Sequence, residues 1–300
     1  MKKFWILAAF AAMFASCSND QDSPSSVEAK GDTELKIGGS SDQLVVTKAN
    51  VNLTKDTKIG VYAYIKTGAN ATTLTTTPFK NAEYVAVGTD NTFTSLAPIN
   101  LYHANTYNAI AYAPRVSAIT DPAAVEFTHG SDVLYAAEQN VTISALGTTP
   151  ETYKASTDFI FKHMLSQIKF TLVEGTGYVA TDLVGATYKV TGLYGKCTMN
   201  LNTGVITPTP VKVDDATTSA TITEKDKAMC FIPSSSDMTL EIEVTLANAT
   251  VCKGTLVKTF TPGSSYSYNL KVNKNDANLE VTGQVVDWVP VSGGDINIEG

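Results

Sequence analysis

The sequence predicts an all-β protein made of two β-sandwich domains in tandem. Three observations carry that expectation. From residue 27 onward Thr, Val, Ala, Asn, Gly and Tyr dominate, and no segment holds an apolar period of 3.6 residues for three turns. Short alternating apolar–polar runs recur instead, separated by Gly, Pro, Asn and Asp, which is how a sandwich reads. Roughly 280 residues remain once an N-terminal leader is set aside, enough for about two domains.

The leader comes first in the chain. Lys2 and Lys3 precede an apolar run over residues 4–14. It is too short to span a bilayer as a helix, which needs about 20 residues, and it fits the apolar region of a secretory signal. The run ends in Phe14-Ala15-Ser16-Cys17, which resembles a bacterial lipobox. That likeness implies cleavage before Cys17 and acylation of its thiol and new amine. Two or three acyl chains anchor firmly where one is marginal. An ordinary cleaved signal with a cysteine nearby is the alternative. The polar stretch 18–26 that follows reads as a tether.

Strands are expected over residues 44–47, 58–65, 83–87, 107–112, 133–135 and 141–143. In the second half they are expected over 167–173, 187–193, 197–201, 228–232, 239–246, 251–260, 265–272, 279–288 and 295–298. Within 239–246, Leu240, Ile242, Val244 and Leu246 point one way and Glu241, Glu243 and Thr245 the other, a half-buried strand with one wet face. Residues 149–157 are polar and turn-rich and form the expected linker. Leu201-Asn202-Thr203-Gly204-Val205 reads as a hairpin turn. Prolines confine 207–219 to a loop or an edge.

Composition excludes several functions. The formal charge is −7 and Arg115 is the only arginine, so little is available to neutralise nucleic-acid phosphates. Apart from Cys17 there are three cysteines, Cys197, Cys230 and Cys252, with no C-x-x-C. Buried free thiols fit best, with a Cys230–Cys252 bridge as the alternative in an exported protein. His103, His129 and His163 are scattered, and no nucleophile elbow, zinc helix, phosphate loop or calcium loop is present. Asp214-Asp215 and Asn275-Asp276 read as solvated turns and not as metal sites, for want of further oxygen ligands at fixed spacing. His163 reads as packed or capping, and Trp288 as a core or edge anchor. No cofactor, metal or catalytic set is expected.

Five local patterns, in order along the chain, resemble the fimbrillin family of Bacteroidetes pilus subunits. They are Asp56-Thr57-Lys58-Ile59-Gly60-Val61-Tyr62-Ala63-Tyr64, then Ile99-Asn100-Leu101-Tyr102-His103 with Tyr107-Asn108-Ala109-Ile110-Ala111-Tyr112-Ala113-Pro114, then Asp132-Val133-Leu134-Tyr135-Ala136. Phe161-Lys162-His163-Met164-Leu165-Ser166-Gln167-Ile168-Lys169-Phe170 follows, and Val285-Val286-Asp287-Trp288 with Gly293-Gly294-Asp295-Ile296 closes the series. His103 departs from the pattern, where a Tyr or Pro is commoner.

The resemblance implies two transthyretin-like β-sandwich domains and a structural role. It implies a lipoprotein precursor at the outer membrane whose N-terminal segment, first strand included, is cut away. A C-terminal strand of another subunit then fills the open groove. The expected divisions are a signal over 1–16, a propeptide with the removable strand over 17–48, and domains over 49–156 and 157–300. The expected cut falls between Lys48 and Ala49, where relatives carry Thr-Arg and a small residue; Lys36 and Lys55 compete. A lysine there excludes an arginine-only protease. Strand 43–46 would leave with that cut. Donor-strand candidates are Leu279, Val281 and Val285, which alternate with polar neighbours, and Trp288, Ile296 and Ile298. The alternative is that this stretch completes its own domain. Expected partners are other fimbrial subunits, the outer membrane through the lipid, and a host or bacterial surface ligand in adhesion. A glycan-binding surface lipoprotein is the rival function.

Overall fold

The computed structural model describes residues 33–41, 51–67, 70–71, 74–88, 91–146, 153–210, 219–222, 227–274 and 279–287. Every element among them is a strand, apart from one short 3-10 turn at Ala180–Leu183. The first half holds β1 (Thr33–Ser41), β2 (Val51–Asn52), β3 (Lys58–Thr67), β4 (Asn70–Ala71), β5 (Phe79–Ala86), β6 (Thr92–Thr94), β7 (Asn100–Leu101), β8 (Tyr107–Ala113), β9 (Val125–Thr128), β10 (Leu134–Asn140), β11 (Thr142–Ala145) and β12 (Tyr153–His163). The second half holds β13 (Ser166–Glu174), β14 (Thr187–Tyr194), β15 (Lys196–Asn200), β16 (Val205–Pro208), β17 (Ser219–Ile222), β18 (Met229–Phe231), β19 (Met238–Thr245), β20 (Val251–Lys258), β21 (Ser264–Val272) and β22 (Leu279–Asp287).

In the first half the hydrogen-bonded order is β12-β10-β8-β3-β5-β6-β1, and β1 pairs back onto β12. The sheet therefore closes on itself, and β1 is the strand that closes it. The enclosed core includes Leu35, Ile37, Ile59, Tyr84, Phe159 and Phe161. β8 is buried along its whole length because it has a core on each face. Tyr107, Ala109, Ala111 and Ala113 face the enclosed core, while Ile110 and Tyr112 face a second cluster shared with the other half.

The second half stacks β18-β13-β21-β22 on β17-β14-β19-β20 around one core. The alternation expected in 239–246 is present: Leu240, Ile242 and Val244 are buried in β19, and Glu241 is exposed. Phe231, Phe260 and Tyr266 interlock edge to face, with successive ring centroids 4.9 Å apart, the arrangement that aromatic quadrupoles favour.

The halves are joined by β9, which pairs with β15, which pairs with β16. Tyr62, Tyr112, Phe127 and Tyr135 from one side meet Leu165, Cys197, Met199 and Ile232 from the other. The hairpin expected at 201–205 joins β15 to β16. Gly204 there has φ of 73°, and a Cβ on it would lie 2.5 Å from the Tyr135 ring. The Tyr135 hydroxyl donates to the Leu201 carbonyl at 2.9 Å.

One expectation about boundaries meets a different arrangement, and another falls where the structure describes nothing. Residues 153–157 of the expected linker are the start of β12, which runs on to His163 in the first sheet. The chain thus passes between halves at Met164 and Leu165. Ala155 and Thr157 face the core, but their small side chains make the segment read as polar. The second expectation, a strand at 44–47, lies outside the described residues. So do the linker residues 149–152, the acidic pairs Asp214-Asp215 and Asn275-Asp276, and Trp288.

The three cysteines are free. Cys252 lies in the second-half core, whereas Cys230 packs against the cluster between halves, so the alternative bridge does not form. Burial pushes the thiols of Cys197 and Cys230 up to about 12, which leaves little thiolate near neutrality. At pH 8, iodoacetamide should label Cys197 in the native protein only as fast as the protein opens. Rapid labelling without unfolding would contradict that packing.

Candidate functional site: the first-strand groove

β1 lies in a groove with two unlike walls. One wall is β12, paired in parallel from Leu35↔Ala155 to Ser41↔Phe161. The other is built in succession from β7, β6 and β2, all antiparallel to β1. The Leu35 and Gly39 amides turn to this second wall, donating to the Ile99 and Asn91 carbonyls at 2.9 and 2.8 Å. Removing β1 would orphan a row of backbone groups on both walls.

The groove floor is graded in size. Leu35 stands opposite Ala155 and Ile37 opposite Thr157, so large residues of β1 meet small ones of β12. Gly39 and Ser41 then stand opposite Phe159 and Phe161, and the sizes reverse. Leu35 and Ile37 are buried, each worth about 1.5–3 kcal/mol. At Gly39 there is no room: a Cβ would lie 2.8 Å from the Phe159 carbonyl oxygen and 3.1 Å from its Cβ. Tyr84 spans the groove, its hydroxyl donating to the Leu35 carbonyl at 3.2 Å and accepting the Ile99 amide at 3.0 Å. Burial pushes this phenol up to about 12, so it stays a neutral donor.

The strand was missed in the sequence because Gly38-Gly39-Ser40-Ser41 reads as tether. The signal that could have found it is the alternation of Thr33, Leu35, Ile37 and Gly39, all buried. Of the candidates named from the sequence, Cys17, Lys48, Ala49, Trp288, Ile296 and Ile298 lie outside the described residues. Leu279, Val281 and Val285 lie in β22, paired antiparallel with β21 of the same chain from Ser264↔Asp287 to Val272↔Leu279. Val281 packs against the second-half core. The structure does not bring these three to the groove.

Among the described residues, no three His, Cys, Asp or Glu side chains are grouped to hold a metal. His163 is buried and its Nδ1 meets an Asp132 carboxylate oxygen at 2.9 Å. That pairing ties two of the five sequence patterns together as packing. Arg115 is spent on structure, bonding the Glu83 carboxylate at 3.0 Å and the Asn81 carbonyl at 3.1 Å. Nine of the thirteen tyrosines are buried, so most cannot serve as platforms for sugar rings.

Comparison with known proteins bears on this arrangement. The model of a family described as fimbrillin-like matches residues 47–288.

The chain belongs to the fimbrillin-like family.

Membership marks it as a structural protein and not an enzyme. The match starts after β1, so this fimbrillin-like chain carries its closing strand outside the matched region. It is 26% identical over 167 residues to "Putative fimbrium subunit Fim1C" of Bacteroides uniformis. That alignment covers 51% of this chain and 53% of the relative, so the chain spans about half the length of the curated relative it matches. Among solved structures it is similar to a "putative cell adhesion protein" from Bacteroides uniformis, with TM-score 0.62 and 18% identity over 85% of this chain and 99% of that one. A second protein of the same description, from Bacteroides ovatus, gives TM-score 0.60 and 19% identity over 88% and 100% of the two chains. At such identities the likeness is one of fold.

Proposed function

We propose that this fimbrillin-like chain is a structural subunit of a surface fimbrium, exported as a lipoprotein on Cys17 and polymerised by strand exchange. A cut after Lys48 releases β1 from the precursor, and a C-terminal strand of another subunit takes its place. The observation that carries this reading is the position of β1. It closes the first-half sheet, buries Leu35 and Ile37 in the core, and precedes Lys48 in the sequence. One cut between β1 and β2 would make the strand a separate peptide while leaving the other strands of that sheet on one chain.

The physics favours a fibre over a closed dimer. An emptied groove exposes unpaired backbone and an apolar trench, and a strand from a neighbour satisfies both. Groove and donor are different parts of the subunit, so the contact is head to tail and repeats without limit. Until the cut, β1 fills the groove and prevents early polymerisation. Since β22 is occupied by its own sheet, the donor falls to residues 288–300.

The test is Lys48→Ala expressed in the native host. It should yield an uncut, lipid-bearing monomer at the outer membrane, with no ladder of polymers on an unheated gel. Normal trimming and normal fibres from this variant would place the cut elsewhere or remove the need for one. Replacing Cys17 by Ala should abolish labelling by an acyl-chain probe. Unchanged labelling would sink the lipid assignment.

A further inference from the structure

We infer that the groove selects its incoming strand by a glycine, and that the occupant is Gly294-Asp295-Ile296-Asn297-Ile298 of a second copy, running antiparallel to β12. This rests on the strand-exchange reading above and adds the register and direction. The floor asks for two large inward residues at the places of Leu35 and Ile37. It asks for none at the place of Gly39, where a Cβ would meet Phe159 backbone at 2.8 Å. A backbone obstacle cannot swing aside as a side chain can.

Inward residues alternate along a strand, so an occupant must read large-x-large-x-Gly in one direction or Gly-x-large-x-large in the other. Residues 289–298 (VPVSGGDINI) offer both patterns around Gly293-Gly294. The parallel choice puts Val289, Val291 and Gly293 in the places of Leu35, Ile37 and Gly39. It fails on two counts. Pro290 would take the place of Lys36. Because the Leu35 and Gly39 amides turn to the opposite wall, the Lys36 amide turns to β12, and proline has no N–H to give there. Asp287, the last residue of β22, would also fall in the place of Thr33, which is 1% exposed.

The antiparallel choice has neither fault. Ile298, Ile296 and Gly294 take the places of Leu35, Ile37 and Gly39, and Ser292 takes that of Ser41 opposite Phe161. The two isoleucines lie over Ala155 and Thr157, where the floor is low. Asp295 takes the outward place of Gly38, where a Cβ would lie 2.1 Å from an Asp158 carboxylate oxygen; that exposed side chain can swing aside, and water and salt screen the two carboxylates. Residues 288–291 remain as a connector from β22.

The experiment compares Gly294→Val, Gly293→Ser and deletion of 289–300 in the full precursor, expressed in the native host and read as polymer ladder on unheated gels. Melting of each uncut monomer checks that folding is intact. Gly294→Val should lower polymer yield on the order of tenfold or more, since the clash is with backbone. Gly293→Ser puts at the buried place of Ser40 the same side chain that β1 carries there, and should polymerise like the parent chain. Normal ladders from Gly294→Val, with none from the deletion, would overturn the register while leaving strand exchange standing. Loss in Gly293→Ser, alone or together with Gly294→Val, would overturn the direction. Normal ladders from the deletion would remove both the register and the donor reading beneath it.

Discussion

Replacing Tyr135 by Ala should cost about 3–5 kcal/mol of stability, the range for truncating a buried aromatic. Three losses add up at this one position. The ring is buried and packs where Gly204 has no side chain. The hydroxyl satisfies the Leu201 carbonyl, which would be left unpaired. The cluster that holds the halves together would lose a central member. Urea unfolding followed by tyrosine fluorescence should show a lower midpoint, and limited proteolysis should find new cuts near 164–165. Tyr135→Phe keeps the ring and removes only the hydroxyl, so it should cost about 1 kcal/mol. If the two variants are equally mild, the halves are not held by this cluster.

Leu35→Ala should destabilise the uncut chain by about 2–5 kcal/mol, the cost of a buried Leu truncation with its cavity. Leu35 has no exposure and lies against Ala155, too small to fill the space left. Under the proposed strand exchange β1 is cut away before assembly, so the same substitution should leave the stability of assembled polymer unchanged. This contrast distinguishes a temporary strand from a permanent one. Equal destabilisation of monomer and polymer would mean that β1 stays in the groove.

Much of the fold was legible because most strands have one wet face. β19 shows it best: Glu241 and Glu243 alternate with apolar residues, and period alone gives the strand. The hairpin at 201–205 was legible from turn chemistry, since Gly204 supplies the positive φ. The groove was not legible, for one physical reason seen from both sides. β1 and β12 share their core volume unequally, so each looks weak alone. Gly39 leaves space for Phe159, and Ala155 and Thr157 leave space for Leu35 and Ile37. The Gly-Gly-Ser-Ser of β1 therefore reads as tether, and residues 153–157 read as linker. The alternation over 279–285 reads in two ways. Leu279, Val281 and Val285 alternate as a donor would, but so does any strand that completes its own sheet, and β22 pairs with β21 along its full length.

Under the proposed strand exchange, the same complementarity would hold β1 in place until a cut. Parallel pairing to β12 and antiparallel pairing to β7, β6 and β2 satisfy its backbone on both sides, and two apolar side chains add burial. Under that proposal a newcomer would have to match all of it, so exchange would be specific, and slow without a cut.

The most direct measurement is the N-terminal residue of subunits taken from native fibres, read by mass spectrometry of the intact chain. The account predicts subunits beginning at Ala49, with no peptide from Thr33–Ser41 and no acyl chain. Fibres whose subunits still begin at acylated Cys17, with Thr33–Ser41 in place, would contradict it.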